Sequence, residues 1–433
     1  MIVAKALINS IARSGLSRDA SLYTIFNAAA ALFPFLVALI LTRLVSPTDY
    51  GLYGILLVAV SIVTPLISMG LETAVGRRFV NSNEIDFPRY ISTAVLLTFA
   101  FAVSVYAGAY IARDLLSEFL PLPSAWFWAW IAVAWSQVML TTVLTLLQME
   151  HKPVEYGIWR VARAGGVQIA IGITAAAGFV TWQALVVSLA LANIVLTGSC
   201  LVWLRRRGYG VVRFSGHDAR AALRYGAPLL PHMVSGSILL SAGPFFLAAM
   251  KGVEIVGIYS VGLTLSQVMA MIGGALNRAW VPWFYQQMKV GGTDVRLKIA
   301  RAGVAFIAVM LLSGAALALA GWLAFPWIVG ERYTSAGLIF VWLVGAWTAH
   351  NIFGVVSSYL YYTYRTGWIS AISAACILIN LALTPILITA YGAVGAAAAV
   401  CITYLTALTL GIICTLFFTV GKTKADISDA RSS

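Results

Sequence analysis

Residues 302–323 read AGVAFIAVMLLSGAALALAGWL, a run of 22 positions without a charged side chain. A helix needs about 20 mostly apolar residues to cross the hydrocarbon core of a bilayer. The run would be apolar on every face of a helix, whereas a β-barrel strand alternates in polarity over about ten residues. The stretch therefore predicts a membrane-spanning helix.

Eleven other runs of similar length and composition surround this one along the chain. The twelve predicted spans are 22–42, 51–71, 91–112, 125–147, 158–179, 182–204, 227–249, 257–281, 302–323, 336–358, 367–389 and 393–419. Together they predict an all-α integral membrane protein with about 12 transmembrane helices.

The composition of the whole chain agrees with a lipid environment. Of its 433 residues, 61% are apolar and 10% are charged, and the mean hydropathy is +0.91. A soluble protein carries roughly 25% charged residues, which cover its wet surface. The composition therefore excludes a water-soluble enzyme.

The chain has a formal charge of +13, and its basic residues are distributed unequally between the two sides of the predicted membrane. All but four of the 28 Lys and Arg residues fall on one side of the predicted membrane, and those four are Arg43, Arg113, Lys251 and Arg332. Because basic loops resist translocation, that side is the cytoplasm. We therefore expect both termini to be cytoplasmic, and we assign the excess charge to topology rather than to nucleic acid.

The longest charged segment divides the spans into two sets of six. The predicted organisation is a cytoplasmic N-terminal segment that could lie as an interfacial helix, an N-lobe, a basic cytoplasmic linker, a C-lobe and a cytoplasmic tail, at 1–21, 22–204, 205–226, 227–419 and 420–433. Gly257 and Tyr259 follow Gly51 and Tyr53 at the same spacing of 206 positions. This match favours a parallel internal repeat of two six-helix lobes around a central cavity.

The sequence offers little catalytic chemistry. It contains no Gly-rich phosphate loop of the Walker type, and its four cysteines lack metal-ligand spacing. The acids all lie in loops, tails or span ends, and the outward loops are short. We therefore expect neither an enzyme nor a bound cofactor or metal.

Five arginines at predicted span ends are candidates for anion contact: Arg77, Arg78, Arg160, Arg163 and Arg278. The planar fork of a guanidinium group donates paired hydrogen bonds to phosphate. The alternative is that these residues only set topology or snorkel to the interface.

Seven polar residues within spans are candidates for lining a cavity: Asn27, Gln137, Thr141, His232, Gln267, Asn277 and His350. Hydrogen bonding between helices is the alternative, because membrane bundles use it routinely.

Several segments resemble a known family. The stretches RYGAPLLPH (224–232), VGIYSVG (256–262) and NRAWVP (277–282) are similar to the central signature of Wzx-type polysaccharide and O-antigen flippases. SPTDYG (46–51) and YGAVGA (391–396) are similar to further patterns of that family. The resemblance covers nearly the whole chain and extends to the related MATE transporters and MurJ-type lipid II flippases.

The resemblance implies a flippase in the bacterial inner membrane. Such a protein moves oligosaccharides linked to polyprenyl pyrophosphate by alternating access, for O-antigen, capsule or exopolysaccharide biosynthesis, and a polysaccharide polymerase and export machinery are expected partners. Two alternatives stay open: a MATE-like small-molecule antiporter, which would need an acidic site, and a polytopic glycan ligase or transferase.

Overall fold

The structure is a computed structural model that describes residues 15–79, 86–119, 121–209, 213–290, 292–363 and 365–432. It is all-helical, with 92% helix. The helices up to the predicted linker are α1 (Gly15–Leu44), α2 (Pro47–Ser68), α3 (Leu71–Phe79), α4 (Phe87–Ile111), α5 (Arg113–Phe119), α6 (Phe127–Met149), α7 (Pro153–Ala176) and α8 (Trp182–Arg206).

The later helices are α9 (Gly216–Gly226), α10 (Leu230–Lys251), α11 (Val253–Val290), α12 (Thr293–Ile328), α13 (Ala336–Tyr362) and α14 (Thr366–Ser432). Short 3₁₀ turns cover Ser124–Trp126, Ala227–Leu229 and Glu331–Tyr333. A break at Gly392, with φ 57° and ψ −135°, divides α14. It falls between the predicted spans 367–389 and 393–419.

Each predicted span lies on helical structure, which confirms the all-α prediction. Within the described ranges, nine helices are long and apolar enough to cross a membrane, and the divided α14 counts once among them. The count of twelve crossings stays a prediction.

Several predicted boundaries differ from the structure. The second span was expected to reach residue 71, but α2 ends at Ser68, where Met69 and Gly70 both adopt positive φ. The eighth span was expected to end at 281, but α11 continues to Val290. Of the expected N-terminal segment 1–21, residues 15–21 begin α1 and residues 1–14 lie outside the described part of the chain.

The chain forms two compact units, Met1–Ser237 and Ile238–Ser433, which we call unit 1 and unit 2. Their boundary falls within α10, downstream of the expected linker, and 205–226 belongs to unit 1. The predicted lobe bounds and the internal repeat stay predictions. In both units the matched tyrosine is the seventh residue of its helix and is buried, with Tyr53 5% and Tyr259 1% exposed.

Unit 1 is built around α6, which packs against α2, α3, α4 and α8. The core contains Leu71, Ile91, Leu140, Val143 and Leu147. A separate contact joins α1 to α7, where the ring of Phe33 packs against Gly165. This packing fixes α7, the helix that carries two of the candidate arginines.

Unit 2 is built around α13, which packs against α11, α12 and α14. Its aromatic cluster contains Trp280, Phe284 and Phe306, with Val355 from α13. Gly273 of α11 faces the buried Asn351 of α13. The lack of a side chain at Gly273 therefore lets the two helices approach closely.

Candidate functional site

The helix break after α2 positions Arg77 and Arg78. Gly70 has φ 69°, and a Cβ atom there would lie 2.8 Å from the carbonyl oxygen of Gly226. The break therefore fits a close backbone contact with the end of α9. The chain then turns into α3, whose last turn carries both arginines. Cations are favoured at that end of a helix by its dipole.

Each of these arginines packs on an aromatic ring. The guanidinium carbon of Arg77 lies 4.6 Å from the ring centroid of Tyr225, and that of Arg78 lies 5.9 Å from the ring of Tyr90. Arg77 is exposed and Arg78 is half-buried. Nε of Arg78 is buried and has no hydrogen-bond partner in the described residues. Its N–H group is therefore a buried donor without a described acceptor.

The second arginine pair lies one helical turn apart on α7, and we call Arg160 and Arg163 the α7 pair. Both side chains are half-buried, and Arg163 lies close to Arg160 and to Cys200 of α8. Nε of Arg160 is buried and unbonded within the described residues. The sequence placed the pair at a span end, but α7 begins at Pro153 and has 24 residues. Arg163 is therefore near its middle, about 15 Å from its start.

Two other arginines of unit 1, Arg207 and Arg89, are neutralised by carboxylates. Arg207 donates from Nη2 to Oε2 of Glu155 at 2.6 Å and from Nη1 to Glu150. Arg89 donates from Nε to Asp218 at 3.0 Å. These three acids are engaged with their own partners.

The pKa of Asp218 reflects this pairing. Burial opposes its charge, but hydrogen bonds from Ser215 and Arg89 outweigh burial and lower the pKa below its usual value. Arg77, Arg78 and the α7 pair form no such ion pair with any acid that the structure describes. The bases of unit 1 thus divide into a paired group that braces helices and an unpaired group.

The remaining unit 1 candidates make contacts within and between helices. Asn27 donates to the carbonyl oxygen of Tyr23 at 2.7 Å, and its Oδ1 lies 3.5 Å from the hydroxyl of Tyr156. Thr141 donates to the carbonyl oxygen of Gln137 at 2.8 Å. Thr141 is exposed and Gln137 is half-buried.

The unit 2 candidates fall on α11 and α13. Arg278 and Gln267 are exposed on α11. Asn277 donates to the backbone oxygen of Asn351 at 3.1 Å, so it joins α11 to α13. His350 is exposed, and its ring centroid lies 4.7 Å from that of Tyr404.

The sequence had indicated that Arg278 lies at the end of its helix. This was wrong, because α11 continues to Val290. His232 lies on α10, and its side chain is outside the described residues.

The sequence analysis did not identify three residues that support the candidate arginines or the helix break before them. Tyr90 and Tyr225 support the arginines of α3, but each lies on a different helix from its arginine and carried no signal in the sequence. Glu72 was treated as a span-end acid, yet it is only 8% exposed and accepts a hydrogen bond from Ser68 at 2.5 Å. Gly70, two residues before Glu72, was the one sequence feature that could have indicated the helix break between α2 and α3.

The unpaired arginines of unit 1 suit an anionic ligand with several oxygens. Guanidinium groups donate two parallel hydrogen bonds to phosphate, and these bonds strengthen where water is partly excluded. A half-buried cation without a carboxylate partner is costly, and an incoming anion reduces that cost.

The fold and its apolar helices define a multi-pass, all-helical membrane protein. The family model described as "Polysaccharide biosynthesis protein" matches residues 16–288, well over half of the chain. The chain belongs to this family, which confirms the resemblance seen in its motifs. A relative from Haemophilus influenzae, "Lsg locus putative protein 1", is 22% identical over 382 residues, covering 84% of this chain and 89% of the relative.

Solved structures share the fold. The lipid II flippase MurJ in an inward closed conformation matches with a TM-score of 0.70 at 11% identity, over 91% of this chain and 87% of that one. An inward-facing multidrug resistance MATE family transporter of the MOP superfamily matches with a TM-score of 0.68 at 14% identity, over 93% and 99%. At these identities the matches show a shared fold.

Proposed function

We propose that this protein is a flippase for oligosaccharides linked to polyprenyl pyrophosphate. It works in the bacterial inner membrane with both termini in the cytoplasm, and it opens to one side of the membrane at a time. Its family and its flippase-like fold support this proposal. The product serves O-antigen, capsule or exopolysaccharide biosynthesis, with a polymerase and export machinery as partners.

The α7 pair carries the proposal. Two half-buried arginines one turn apart, without a described carboxylate partner, form a site for a doubly phosphorylated head group. Each guanidinium can take one phosphate of a pyrophosphate. Arg77 and Arg78 lie on the predicted cytoplasmic side, where such a substrate is made.

Deletion of the gene tests the function. We expect the deletion strain to lose surface polysaccharide and to accumulate lipid-linked repeat units that are accessible only from the cytoplasmic leaflet. The measurement is extraction and labelling of lipid-linked saccharides in right-side-out and inverted vesicles. Unchanged export in a strain without a second flippase gene would refute the proposal.

Complementation tests the site. Arg160→Gln with Arg163→Gln is expected to restore little export, although the protein inserts at normal levels. The matched control is Arg205→Gln with Arg206→Gln, because those arginines are exposed and removing them changes the charge equally. Equal export by the two double variants would show that the α7 pair only sets the topology and does not bind substrate.

The fold shared with MATE transporters supports a second candidate, a small-molecule antiporter. Such an antiporter would use an acid in the membrane, and the buried Glu72 is the residue that could supply it. Its hydrogen bond from Ser68 lies beside the helix break, so bracing that break is a competing role. Unchanged drug sensitivity on deletion and on overexpression would eliminate this candidate.

A further inference from the structure

Helix α9 is held firmly against the rest of unit 1. The hydroxyl of Ser215 caps it by accepting from the backbone N–H of Asp218 at 3.2 Å, and the backbone N–H of Ser215 donates to the hydroxyl of Thr93 at 3.1 Å. Arg89 holds the carboxylate of Asp218, as described above. The C-terminal end is fixed by the contact of Gly226 with Gly70. Helix α9, which lies in the segment expected to be a linker, is thus a fixed platform.

The opposite face of α9 carries an unassigned basic cleft. The cleft has a volume of about 800 Å³ and is lined by Phe214, Gly216, Ala219, Arg220, Leu223 and Arg224. Arg220 and Arg224 are exposed and lie four residues apart, so they share one helix face. Neither makes an ion pair with an acid in the described ranges. Arg77 packs over the ring of Tyr225, the residue that follows Arg224 in α9.

The apolar part of the cleft distinguishes a lipid from a free anion. Phe214 is 61% exposed at its edge, and Leu223 is half-buried between the two arginines. An exposed phenyl group beside paired arginines is typical of surfaces that lie at a membrane interface. Tyr209 and Trp203 lie just upstream in the chain, as expected for the aromatic residues of an interface.

We propose that this basic cleft binds the pyrophosphate of an isoprenoid lipid in the cytoplasmic leaflet. Arg220 and Arg224 bind the two phosphate groups, and Phe214 with Leu223 contacts the first isoprene units. This inference rests on the proposed function, because it names a second site for the same substrate. The cleft captures the head group at the membrane surface, before the substrate reaches the α7 pair.

Direct binding tests the cleft without transport. The probe is farnesyl pyrophosphate, titrated by calorimetry against the full chain in nanodiscs of neutral phosphatidylcholine. The chain carries Arg160→Gln and Arg163→Gln, so that the α7 pair does not contribute. We expect binding to persist in this background and to weaken by at least about tenfold when Arg220→Gln and Arg224→Gln are added.

Matched controls distinguish the effects of removed charge, of contact with the isoprenoid chain and of misfolding. Arg205→Gln with Arg206→Gln removes equal charge and should leave the affinity unchanged. Phe214→Ser should weaken the binding of farnesyl pyrophosphate and leave that of inorganic pyrophosphate unchanged. If the Arg220/Arg224 double variant fails to fold, Arg224→Gln alone replaces it, with the same direction of change expected.

Three results would overturn the inference. The first is loss of all binding in the α7 background, and the second is inorganic pyrophosphate binding as tightly as the farnesyl compound. The third is equal competition by phosphatidylglycerol, which would make the cleft a general site for anionic lipids. Each result leaves the proposed function standing if the deletion strain still traps repeat units in the cytoplasmic leaflet. Continued export by the deletion strain would remove the proposed function itself.

Discussion

Replacing both arginines of the α7 pair by methionine should raise stability and abolish function. Methionine fills a similar volume without a charge. In the protein without substrate, the two guanidinium groups repel each other and lack a described carboxylate partner. Their removal relieves that cost, whereas a merely structural pair would be destabilised by the same change.

The magnitudes follow from burial and hydrogen bonding. Replacing buried ionic groups by apolar ones stabilises proteins by about 1–4 kcal/mol, and half-burial places this pair near about 1 kcal/mol. A charge-assisted hydrogen bond to the substrate contributes about 1.5–3 kcal/mol, so each lost arginine weakens substrate binding by about 10- to 150-fold. Stability and function therefore change in opposite directions.

The assay compares this variant with Arg207→Met. Arg207 is paired with Glu150 and Glu155, so its loss leaves these two carboxylates with Lys152 as their remaining partner and should lower stability by about 1 kcal/mol. Thermal unfolding of the purified proteins, followed by tryptophan fluorescence, measures stability, and complementation of the deletion strain measures export. Equal destabilisation by both replacements, or normal export by the Arg160→Met/Arg163→Met protein, would refute the reasoning.

Three further predictions follow from the structure. Gly70→Ala should lower stability by about 1–3 kcal/mol in thermal unfolding, because φ is positive there and the new Cβ would meet a facing carbonyl oxygen. The lowered pKa of Asp218 means that its ion pair stabilises α9 above the ordinary Asp pKa of about 4 and is lost as the pH falls through the folded value. The hydrogen-exchange protection factors of 213–226, corrected for the intrinsic pH dependence of exchange, should therefore stay constant from pH 7 to about 5 and fall below about 4, and Asp218→Asn should remove that pH step. Asn351→Ala should cost about 1–2 kcal/mol in thermal unfolding, because the buried bond from its side chain to the carbonyl oxygen of Met269 on α11 is lost, whereas Gln267→Ala on the exposed face should stay within about 0.5 kcal/mol.

The helical architecture could be predicted because apolar run length is a local property. Each run, such as 302–323, reports the cost of burying polar groups in lipid and needs no partner helix. The breaks were harder to predict. Gly392 fell between two predicted spans, but Gly70 was read as part of a continuous segment, because its conformation is imposed by contact with Gly226 from a distant part of the chain.

The candidate site was predicted only in part, for a similar reason. Sequence identified Arg160 and Arg163 by their one-turn spacing, but it could not show that they lack carboxylate partners while Arg207 has two. Pairing depends on which helices pack together. The role of Asn277 was also undecided until its bond to α13 was visible, since a cavity residue and a helix contact look alike in sequence.

The most direct test of the account is transport by the purified protein in liposomes. The substrate is a polyprenyl-pyrophosphate oligosaccharide with a fluorescent label on its sugar, and a membrane-impermeant reductant bleaches the label in the outer leaflet. In empty liposomes about half of the label should stay protected, by the symmetry of the two leaflets. We predict that the protein exposes most of that protected half and that the Arg160→Gln/Arg163→Gln protein, folded to the same extent, does not. Protection that is unchanged by the folded wild-type protein would contradict the account.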